Sequence, residues 1–211
     1  MIGQRTYQAI VLGASAGGMK VVKELVTALP EDFSLPLIIV QHIADTSNSE
    51  WPVLLNGYSK VRVKEADEKE LIEPGTVYMA PPNYHLLVEP DHTFTLTVDV
   101  RVNYARPSID VLFETAAEAY KETLIGIVCT GANFDGAKGL AHIKELGGLT
   151  IVQDPQSAES AAMPQAAIQA TDPHAILDFN GIVKLVTSLN HIGENNTGNK
   201  GATSQKQLGN G

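Results

Sequence analysis

The chain has 211 residues, of which 44% are hydrophobic, and its 15 Lys and Arg against 24 Asp and Glu give a formal net charge of −9 at pH 7. This length is enough to bury one sizeable core, so we expect a single globular domain. The acidic balance, without any run of Lys or Arg, disfavours nucleic acid and anionic lipid surfaces as partners, and no segment approaches the roughly 18 apolar residues of a membrane-spanning helix.

The chain contains one cysteine, Cys129. A single thiol cannot form an intrachain disulfide, and it offers no second thiolate for a zinc or iron–sulfur site. The sequence also has no clustered metal-ligand residues. We therefore expect a cytoplasmic protein that uses neither a metal nor a cofactor.

Short apolar runs alternate with longer segments of helical period along most of the chain, a pattern typical of βαβ units. The predicted buried strands are residues 7–12, 37–41, 61–64, 76–80, 124–129, 150–153 and 175–177. The predicted helices are residues 18–29, 48–58, 109–121, 135–146, 157–170 and 181–189. This order predicts an α/β fold of three layers, in which a doubly wound, mostly parallel sheet lies between two layers of helices.

The alternation breaks once, where residues 84–89 and 93–98 have period-2 character on either side of a short turn. We expect an antiparallel β-hairpin inserted into the α/β body. From residue 193 to the end, the chain is rich in Gly, Asn, Ser, Thr and Gln and has almost no large apolar side chain. We therefore expect one domain over residues 1–192 and a disordered tail over residues 193–211.

A glycine-rich segment, Gly13-Ala14-Ser15-Ala16-Gly17-Gly18, connects the first predicted strand to the first predicted helix. Ser15 therefore lies at the carboxyl end of a strand, where open α/β sheets bind ligands. The pattern Gly-x-Ser-x-Gly is typical of a strand-to-helix turn that projects a nucleophilic serine. Two alternatives remain open: Ser15 caps the helix, or the turn holds a lone phosphate. A dinucleotide is disfavoured because the next strand ends in Gln41 and His42 and not in an acidic residue.

Two further polar residues follow predicted buried strands, namely His42 and Asp135. An imidazole accepts and returns a proton near neutral pH, and a carboxylate on its far nitrogen stabilises the imidazolium. Taken singly, each has a structural alternative, a core histidine or a helix-capping aspartate. With Ser15 they form a serine–histidine–aspartate set at one sheet edge. We expect His42 to lie within hydrogen-bond reach of both Ser15 and Asp135.

Several motifs beyond these three loops occur in a fixed order along the chain. They are residues 73–86 (EPGTVYMAPPNYHL), residues 106–113 (RPSIDVLF), Thr130-Gly131, Asp135-Gly136-Ala137, Gln153-Asp154-Pro155 and Ala162-Met163-Pro164. Through them, the chain from about Gln8 to Leu189 resembles the catalytic domain of the CheB family, the chemotaxis protein-glutamate methylesterases.

The resemblance implies hydrolysis of glutamate γ-methyl esters on chemoreceptor-like signalling proteins, with release of methanol. Deamidation of glutamine is implied as a second activity. Residue by residue, Ser15 matches the nucleophile, His42 the general base and Asp135 its partner. Backbone N–H groups near Ala16 and in the turn Gly131-Ala132 match the oxyanion donors.

The chain departs from the family pattern in two loops. Ala16 replaces the threonine of Gly-x-Ser-Thr-Gly-Gly, and Gly131-Ala132-Asn133-Phe134 stands where the family has Gly-Met-Gly-Asn. These changes motivate an alternative function. In that alternative the protein is a weak or inactive scaffold that binds receptors or signalling partners.

Chemotaxis members of the family carry an amino-terminal receiver domain, whereas this chain begins its first predicted strand at Tyr7. We therefore expect a stand-alone catalytic domain. We also expect a separate regulatory protein as a further partner. Two more residues are candidates for substrate binding. Arg106 offers a contact to an acidic receptor segment, and Tyr84 lies where the hairpin begins and is expected to line the cleft.

Overall fold

The computed structural model of the chain describes residues 6–42 and 50–189. The strands are β1 (Ala9–Ala14), β2 (Leu37–Gln41), β3 (Arg62–Glu65), β4 (Thr76–Met79), β5 (His85–Val88), β6 (Phe94–Thr97), β7 (Leu124–Val128), β8 (Leu149–Gln153) and β9 (Ala175–Leu177). The helices are α1 (Gly18–Ala28), α2 (Glu50–Asn56), α3 (Ile109–Tyr120), α4 (Ala137–Glu145), α5 (Ala162–Thr171) and α6 (Phe179–Ser188).

Seven strands form one sheet in the order β3-β4-β2-β1-β7-β8-β9, and each neighbouring pair is parallel. The chain extends the sheet from β1 to one side through β2, and later to the other side through β7. In such sheets, ligands bind where the direction of winding changes, outside the carboxyl ends of the strands. This topology brings the loops after β1, β2 and β7 to the same edge.

Two hydrophobic cores cover the two faces of the sheet, which explains why the strands are apolar along nearly their whole length. Alternate residues of β1 divide between the cores. Ile10 and Leu12 belong to the core that α1 and α6 cover, and Ala9 and Val11 to the core that α3, α4 and α5 cover. The predicted three-layer, doubly wound α/β fold is confirmed.

The inserted hairpin is confirmed as well. Strands β5 and β6 pair in antiparallel orientation, with His85 opposite Thr97. The hairpin packs on the α3 side of the sheet, where the ring of Phe94 meets that of Tyr78 edge-on at a centroid distance of 5.0 Å. The hairpin leads into residues 98–107, which run directly into α3.

Some predicted boundaries are shifted. Strand β1 begins and ends two residues later than predicted, so Ser15 follows the strand directly. Helix α5 begins at Ala162, and the predicted start at Ser157 is wrong. Asp154 explains the difference, because its backbone and side-chain oxygens accept the N–H groups of Ser157 and Gln156, each at 2.9 Å, and so hold the chain in a turn.

Two predicted segments lie wholly or partly outside the described residues. The helix predicted at 48–58 is described from residue 50 and ends at residue 56. The tail predicted at 193–211 lies outside them entirely. In the described part of the chain, no helix is long and apolar enough to cross a membrane.

The crossing of α3 and α4 depends on Gly139. A Cβ atom there would lie 2.5 Å from the Cβ of Phe113 and 3.1 Å from the carbonyl oxygen of Asp110. The Gly139 N–H also donates to the buried Asp110 carboxylate at 2.8 Å. The two helices therefore approach more closely than an alanine permits.

We predict that Gly139→Ala lowers the free energy of unfolding by about 1–3 kcal/mol, because the added methyl group forces the helices apart. Urea unfolding measures this. Gly57→Ala is the matched control, since its Cβ would have the Leu54 carbonyl oxygen at 3.3 Å as its nearest neighbour. Equal losses of stability in the two variants would contradict the prediction.

Candidate active site

Ser15 lies in a turn whose main-chain groups are held by hydrogen bonds. Its N–H donates to the carbonyl oxygen of Thr130 at 2.9 Å, and its own carbonyl accepts the N–H of Gly18 at 2.8 Å. The cap position of α1 is Gly17, with a φ of 78°, and no side chain caps this helix. Ser15 is therefore not a helix cap, and its hydroxyl is not used for structure.

His42 lies beside Ser15 at the edge of the sheet. In the parallel register of β1 and β2, Ala14 is opposite Gln41, and the His42 N–H donates to the Ala14 carbonyl at 3.0 Å. One residue further along, Ser15 and His42 are neighbours, because adjacent strands are about 4.8 Å apart. The register thus brings the hydroxyl and the imidazole together.

Gln41 connects the two loops. Its side-chain amide donates to the carbonyl oxygens of both Ser15 and His42, each at 2.9 Å, and the residue is buried. A Cβ at Gly18 would collide with the Gln41 side chain, so the glycine leaves the room that this contact needs. Gln41 is a positioning residue that was not predicted from the sequence. The one sequence feature that indicates it is a polar residue at the end of an otherwise apolar strand.

The carboxylate of Asp135 is fully buried and accepts five hydrogen bonds. Its Oδ2 is 3.0 Å from His42 Nε2 and 2.7 Å from the N–H of Ile109. Its Oδ1 accepts from the Ser108 hydroxyl at 2.9 Å, from Asn103 Nδ2 at 2.8 Å and from the Asp110 N–H at 3.2 Å. The carboxylate therefore lies at the N-terminus of α3.

This location corrects the predicted helix start at Asp135. Helix α4 begins at Ala137, because Gly136 adopts a left-handed φ of 91° and ends the loop there. Asp135 does not cap its own helix; it caps α3, which is distant in sequence. A negative charge is stabilised at the positive end of a helix dipole.

Hydrogen bonds keep Asp135 ionised. Burial alone would raise the pKa of its carboxyl group, but the hydrogen bonds from His42, Asn103 and the Ile109 N–H outweigh burial and lower the pKa. The side chain facing His42 is therefore an anion at neutral pH. An anion in this position stabilises the positive charge of a protonated imidazole.

A second buried carboxylate, Asp110, lies next to the first. Asn103 donates to both, at 2.7 Å to Asp110 Oδ2 and at 2.8 Å to Asp135 Oδ1. The pKa of Asp110 is raised, first by burial and then by the charge of Asp135, although the Gly139 N–H opposes the shift. The amide of Asn103 thus separates two carboxylates, a role without a sequence signal.

Asn133 contacts the other ring nitrogen of His42. Its Oδ1 accepts the Asp135 N–H at 3.1 Å, and its Nδ2 is 3.3 Å from His42 Nδ1. Within residues 6–42 and 50–189, the Ser15 hydroxyl has no hydrogen-bond partner. Of the two expected links, the structure therefore contains the one between His42 and Asp135, whereas Asn133 occupies the nitrogen expected to face Ser15.

The predicted oxyanion donors differ in their availability. The N–H of Gly131 donates to the carbonyl of Ser160 at 3.0 Å, so this predicted donor is already engaged within the protein. The N–H groups of Ala16 and Ala132 have no partner among the described residues, and both residues are exposed. These two remain candidates.

A cavity of about 330 Å³ opens over the candidate residues. Its lining consists of Ser15, His42, Arg101, Asn103, Tyr104, Ala105, Arg106, Pro107 and Asn133. Arg106 is part of this lining, whereas Tyr84 is not, so the substrate-binding role predicted for Tyr84 has no support from the cavity. Tyr104, which is 90% exposed, stands at the cavity instead. Of the residues that the structure describes, those in the lining include two arginines and no carboxylate.

One wall of the cavity is residues 98–107, which we call the wall segment. His85 holds it to α3: its Nε2 is 3.1 Å from the Val100 carbonyl, and its Nδ1 accepts the Ser108 N–H at 3.2 Å. Arg106 Nη1 donates to the carbonyl oxygens of Val98, at 2.6 Å, and of Asp99, at 3.0 Å. His85 thus attaches the wall segment to the hairpin, and Arg106 connects the last part of the segment to its first two residues.

The described residues contain no group of three or more His, Cys, Asp or Glu that could hold a metal ion. A larger open groove of about 590 Å³ lies between α3 and α4, and its lining includes Glu114, Glu118 and His142. It contains none of the candidate residues. The smaller cavity is therefore the candidate active site, because a hydroxyl, an imidazole and a buried carboxylate converge there.

We predict that Asp135→Asn lowers the free energy of unfolding by about 1–3 kcal/mol at neutral pH, because an amide leaves N–H donors of α3 unpaired. The folded-state pKa of Asp135 is lowered. Its contribution is therefore complete above the unfolded pKa of about 3.9 and is lost as the pH falls through the folded pKa. Urea unfolding at a series of pH values should show the difference from wild type shrinking in acid.

The control is Asp99→Asn, which removes the same charge from an exposed position. We expect no comparable loss of stability from it. A difference between wild type and Asp135→Asn that grows as the pH falls would contradict the assignment.

Comparisons with known proteins agree with this geometry. The sequence profile described as CheB methylesterase matches residues 10–186. A Leptospira interrogans protein is 52% identical over 183 residues, which cover 87% of this chain and 95% of that protein. The protein-glutamate methylesterase FrzG of Myxococcus xanthus is 36% identical over 83% of this chain and 53% of its own length.

A solved structure is similar over the same region. The crystal structure of the Thermotoga maritima CheB methylesterase catalytic domain superposes with a TM-score of 0.82 at 30% identity, covering 88% of this chain and all of that one. With the profile covering most of the chain and the fold shared, the chain belongs to the CheB methylesterase family.

Proposed function

We propose that this protein hydrolyses the γ-methyl esters of glutamate side chains in chemoreceptor-like signalling proteins and releases methanol. Ser15 is the nucleophile, His42 the general base and Asp135 its partner. The observation that carries the proposal is the position of the His42 imidazole. It bonds the buried Asp135 carboxylate at 3.0 Å and lies beside Ser15, whose hydroxyl has no hydrogen-bond partner among the described residues. The family membership and the names of the relatives support the same reaction.

In the first half-reaction, Ser15 Oγ attacks the ester carbonyl carbon while its proton passes to His42 Nδ1. The tetrahedral intermediate then expels the methoxy group, which takes the proton from His42 and leaves as methanol. A glutamyl ester of Ser15 remains. The Asp135 carboxylate stabilises the imidazolium that exists between the two proton transfers.

In the second half-reaction, water attacks the Ser15 ester and gives its proton to His42. The serine oxygen leaves and recovers a proton from the imidazole, so that glutamate and free enzyme result. With a glutamine side chain, the same steps would release ammonia in place of methanol. This second activity appears in the name of a Cupriavidus metallidurans relative, a protein-glutamate methylesterase/protein-glutamine glutaminase 37% identical over 83% of this chain and 50% of its own length.

The charge around the cavity supports an acidic substrate. The chain carries a net charge of −9, yet the described residues that line the cavity include Arg101 and Arg106 and no acidic side chain. A positive opening on a negative protein attracts acidic peptide segments and repels basic ones. We therefore propose that the esterified glutamate is presented within an acidic stretch of the signalling protein.

We predict that the wild type releases methanol from methyl-esterified receptor and that Ser15→Ala releases none, because the described residues place no other hydroxyl in hydrogen-bond contact with His42. Asp135→Asn should slow turnover by roughly 10⁴-fold, as loss of the triad carboxylate does in other serine hydrolases. Gas chromatography of released methanol measures both.

Ser188→Ala is the matched control, since Ser188 is exposed and bonds to its own helix through the Leu185 carbonyl. It should retain wild-type activity. A wild type without methanol release would refute the proposed function and favour a binding scaffold. A Ser15→Ala variant that keeps methanol release would refute Ser15 as the nucleophile.

We further predict that Arg101→Ala raises KM for the esterified receptor up to about fivefold, with kcat unchanged, because an exposed charge contributes up to about 1 kcal/mol. The effect should fall as salt is added. Arg62→Ala, which removes an exposed arginine from β3, is the control. A loss confined to kcat would contradict the proposed binding role of Arg101.

A further inference from the structure

The orientation of the Asn133 carboxamide is fixed by two contacts. Its Oδ1 accepts the Asp135 N–H at 3.1 Å, which only an oxygen can do. Its Nδ2 therefore faces His42 Nδ1 at 3.3 Å, as a donor. Asn133 also lies in one of the two loops where the chain departs from the family pattern.

This orientation also assigns the tautomer of His42. Since Asn133 donates to Nδ1, that nitrogen carries a lone pair, and the proton is on Nε2, directed at Asp135 Oδ2. A lone pair on Nδ1 is what a base needs to accept the proton of Ser15. Asn133 thus marks the atom at which the reaction begins.

The same contact places an N–H donor next to the reacting atoms. His42 Nδ1 has one lone pair, which accepts one strong hydrogen bond. When the Ser15 hydroxyl donates to Nδ1, it therefore displaces the Asn133 amide. The displaced amide then needs a new acceptor. The carbonyl oxygen of the ester is bonded to the carbon that Ser15 attacks, and it becomes negative as the attack proceeds.

The backbone leaves room for such a donor. The N–H groups of Ser15 and Gly131 are already paired, with the carbonyl oxygens of Thr130 and Ser160. Among the described residues before Asn133, the N–H groups of Ala16, Gly17 and Ala132 in these two loops lack a partner. A side-chain donor at Asn133 would add to them.

We infer that Asn133 is a further catalytic residue: its carboxamide holds His42 Nδ1 at rest and donates to the substrate carbonyl oxygen when Ser15 attacks. The inference rests on the proposed function for its substrate. Its contribution comes with the transition state, because the carbonyl oxygen gains charge there. Loss of the amide therefore lowers kcat and leaves KM nearly unchanged.

The test compares Asn133→Ala and Asn133→Asp with wild type in the methanol-release assay. Asn133→Ala should lower kcat by about 10²–10³-fold, the effect of losing one oxyanion donor. Asn133→Asp keeps an oxygen for the Asp135 N–H but removes the donor, so it should be impaired at least as strongly. Near-normal kcat in Asn133→Asp would overturn the inference, since anchoring of the loop would then suffice.

Gln165→Ala is the matched control, because it removes an exposed carboxamide from α5. It should not change kcat. A rise in KM with unchanged kcat in the Asn133 variants would also overturn the inference, because it would indicate that Asn133 acts only in ground-state binding.

A second readout needs no ester substrate. Phenylboronic acid accepts a lone pair from Ser15 Oγ while the serine proton passes to His42, which gives a negative tetrahedral adduct like the reaction intermediate. Its dissociation constant should rise in both Asn133 variants and stay unchanged in Gln165→Ala. Unchanged binding in the Asn133 variants would overturn the inference. Asn133-dependent binding by a wild type that releases no methanol would refute the proposed substrate and still support the inference.

Discussion

The buried carboxylate of Asp135 is the interaction on which the rest of the site depends. It joins the loop after β7, the imidazole after β2, the wall segment through Asn103 and the N-terminus of α3. A buried anion is costly unless its hydrogen-bonding capacity is filled, and here five donors fill it. One charged group therefore both fastens a helix and supports the imidazole, so structure and chemistry cannot be changed separately at this position.

Around this anion, the loops at the sheet edge are connected mainly through backbone groups. Thr130 is the second centre of these contacts: its hydroxyl donates to the Ala16 carbonyl at 2.8 Å and accepts the Ser160 N–H at 2.9 Å. With the Gln41 amide, it joins the loops after β1, β2, β7 and β8. These hydrogen bonds engage the backbone of the loops and not the side chain of residue 16. They are therefore consistent with Ala16 at a position where the family has threonine.

The fold was largely predictable because its signals are local. Apolar runs followed by glycine-containing loops gave the strand ends after which Ser15, His42 and Asp135 lie, and the parallel topology then brought the three together. The contacts that complete the site were not predictable, because their partners are far apart in sequence. Asp135 resembles a cap of its own helix, and only the packing of α3 beside it reveals that it caps another.

The hairpin illustrates the same limit. Its period-2 pattern predicts two strands and their faces, but not the direction in which the hairpin leans on the sheet. Tyr84 was therefore expected in the cleft, whereas the wall segment behind the hairpin supplies Tyr104. Likewise, a carboxamide such as Asn133 offers donors and acceptor alike, and its orientation follows from neighbours that only the folded chain brings close.

The separation between the sheet edge and the wall segment has an evolutionary consequence. The proposed catalytic side chains come from loops at the ends of parallel strands, while six of the described residues that line the cavity come from one contiguous stretch, residues 98–107. Exchange of that stretch would alter the cavity surface without disturbing the carboxylate and imidazole, provided that Asn103 keeps its hydrogen bond to Asp135 and that His85 and Arg106 keep their anchoring contacts. Selectivity and reactivity can thus diversify independently among descendants of this scaffold.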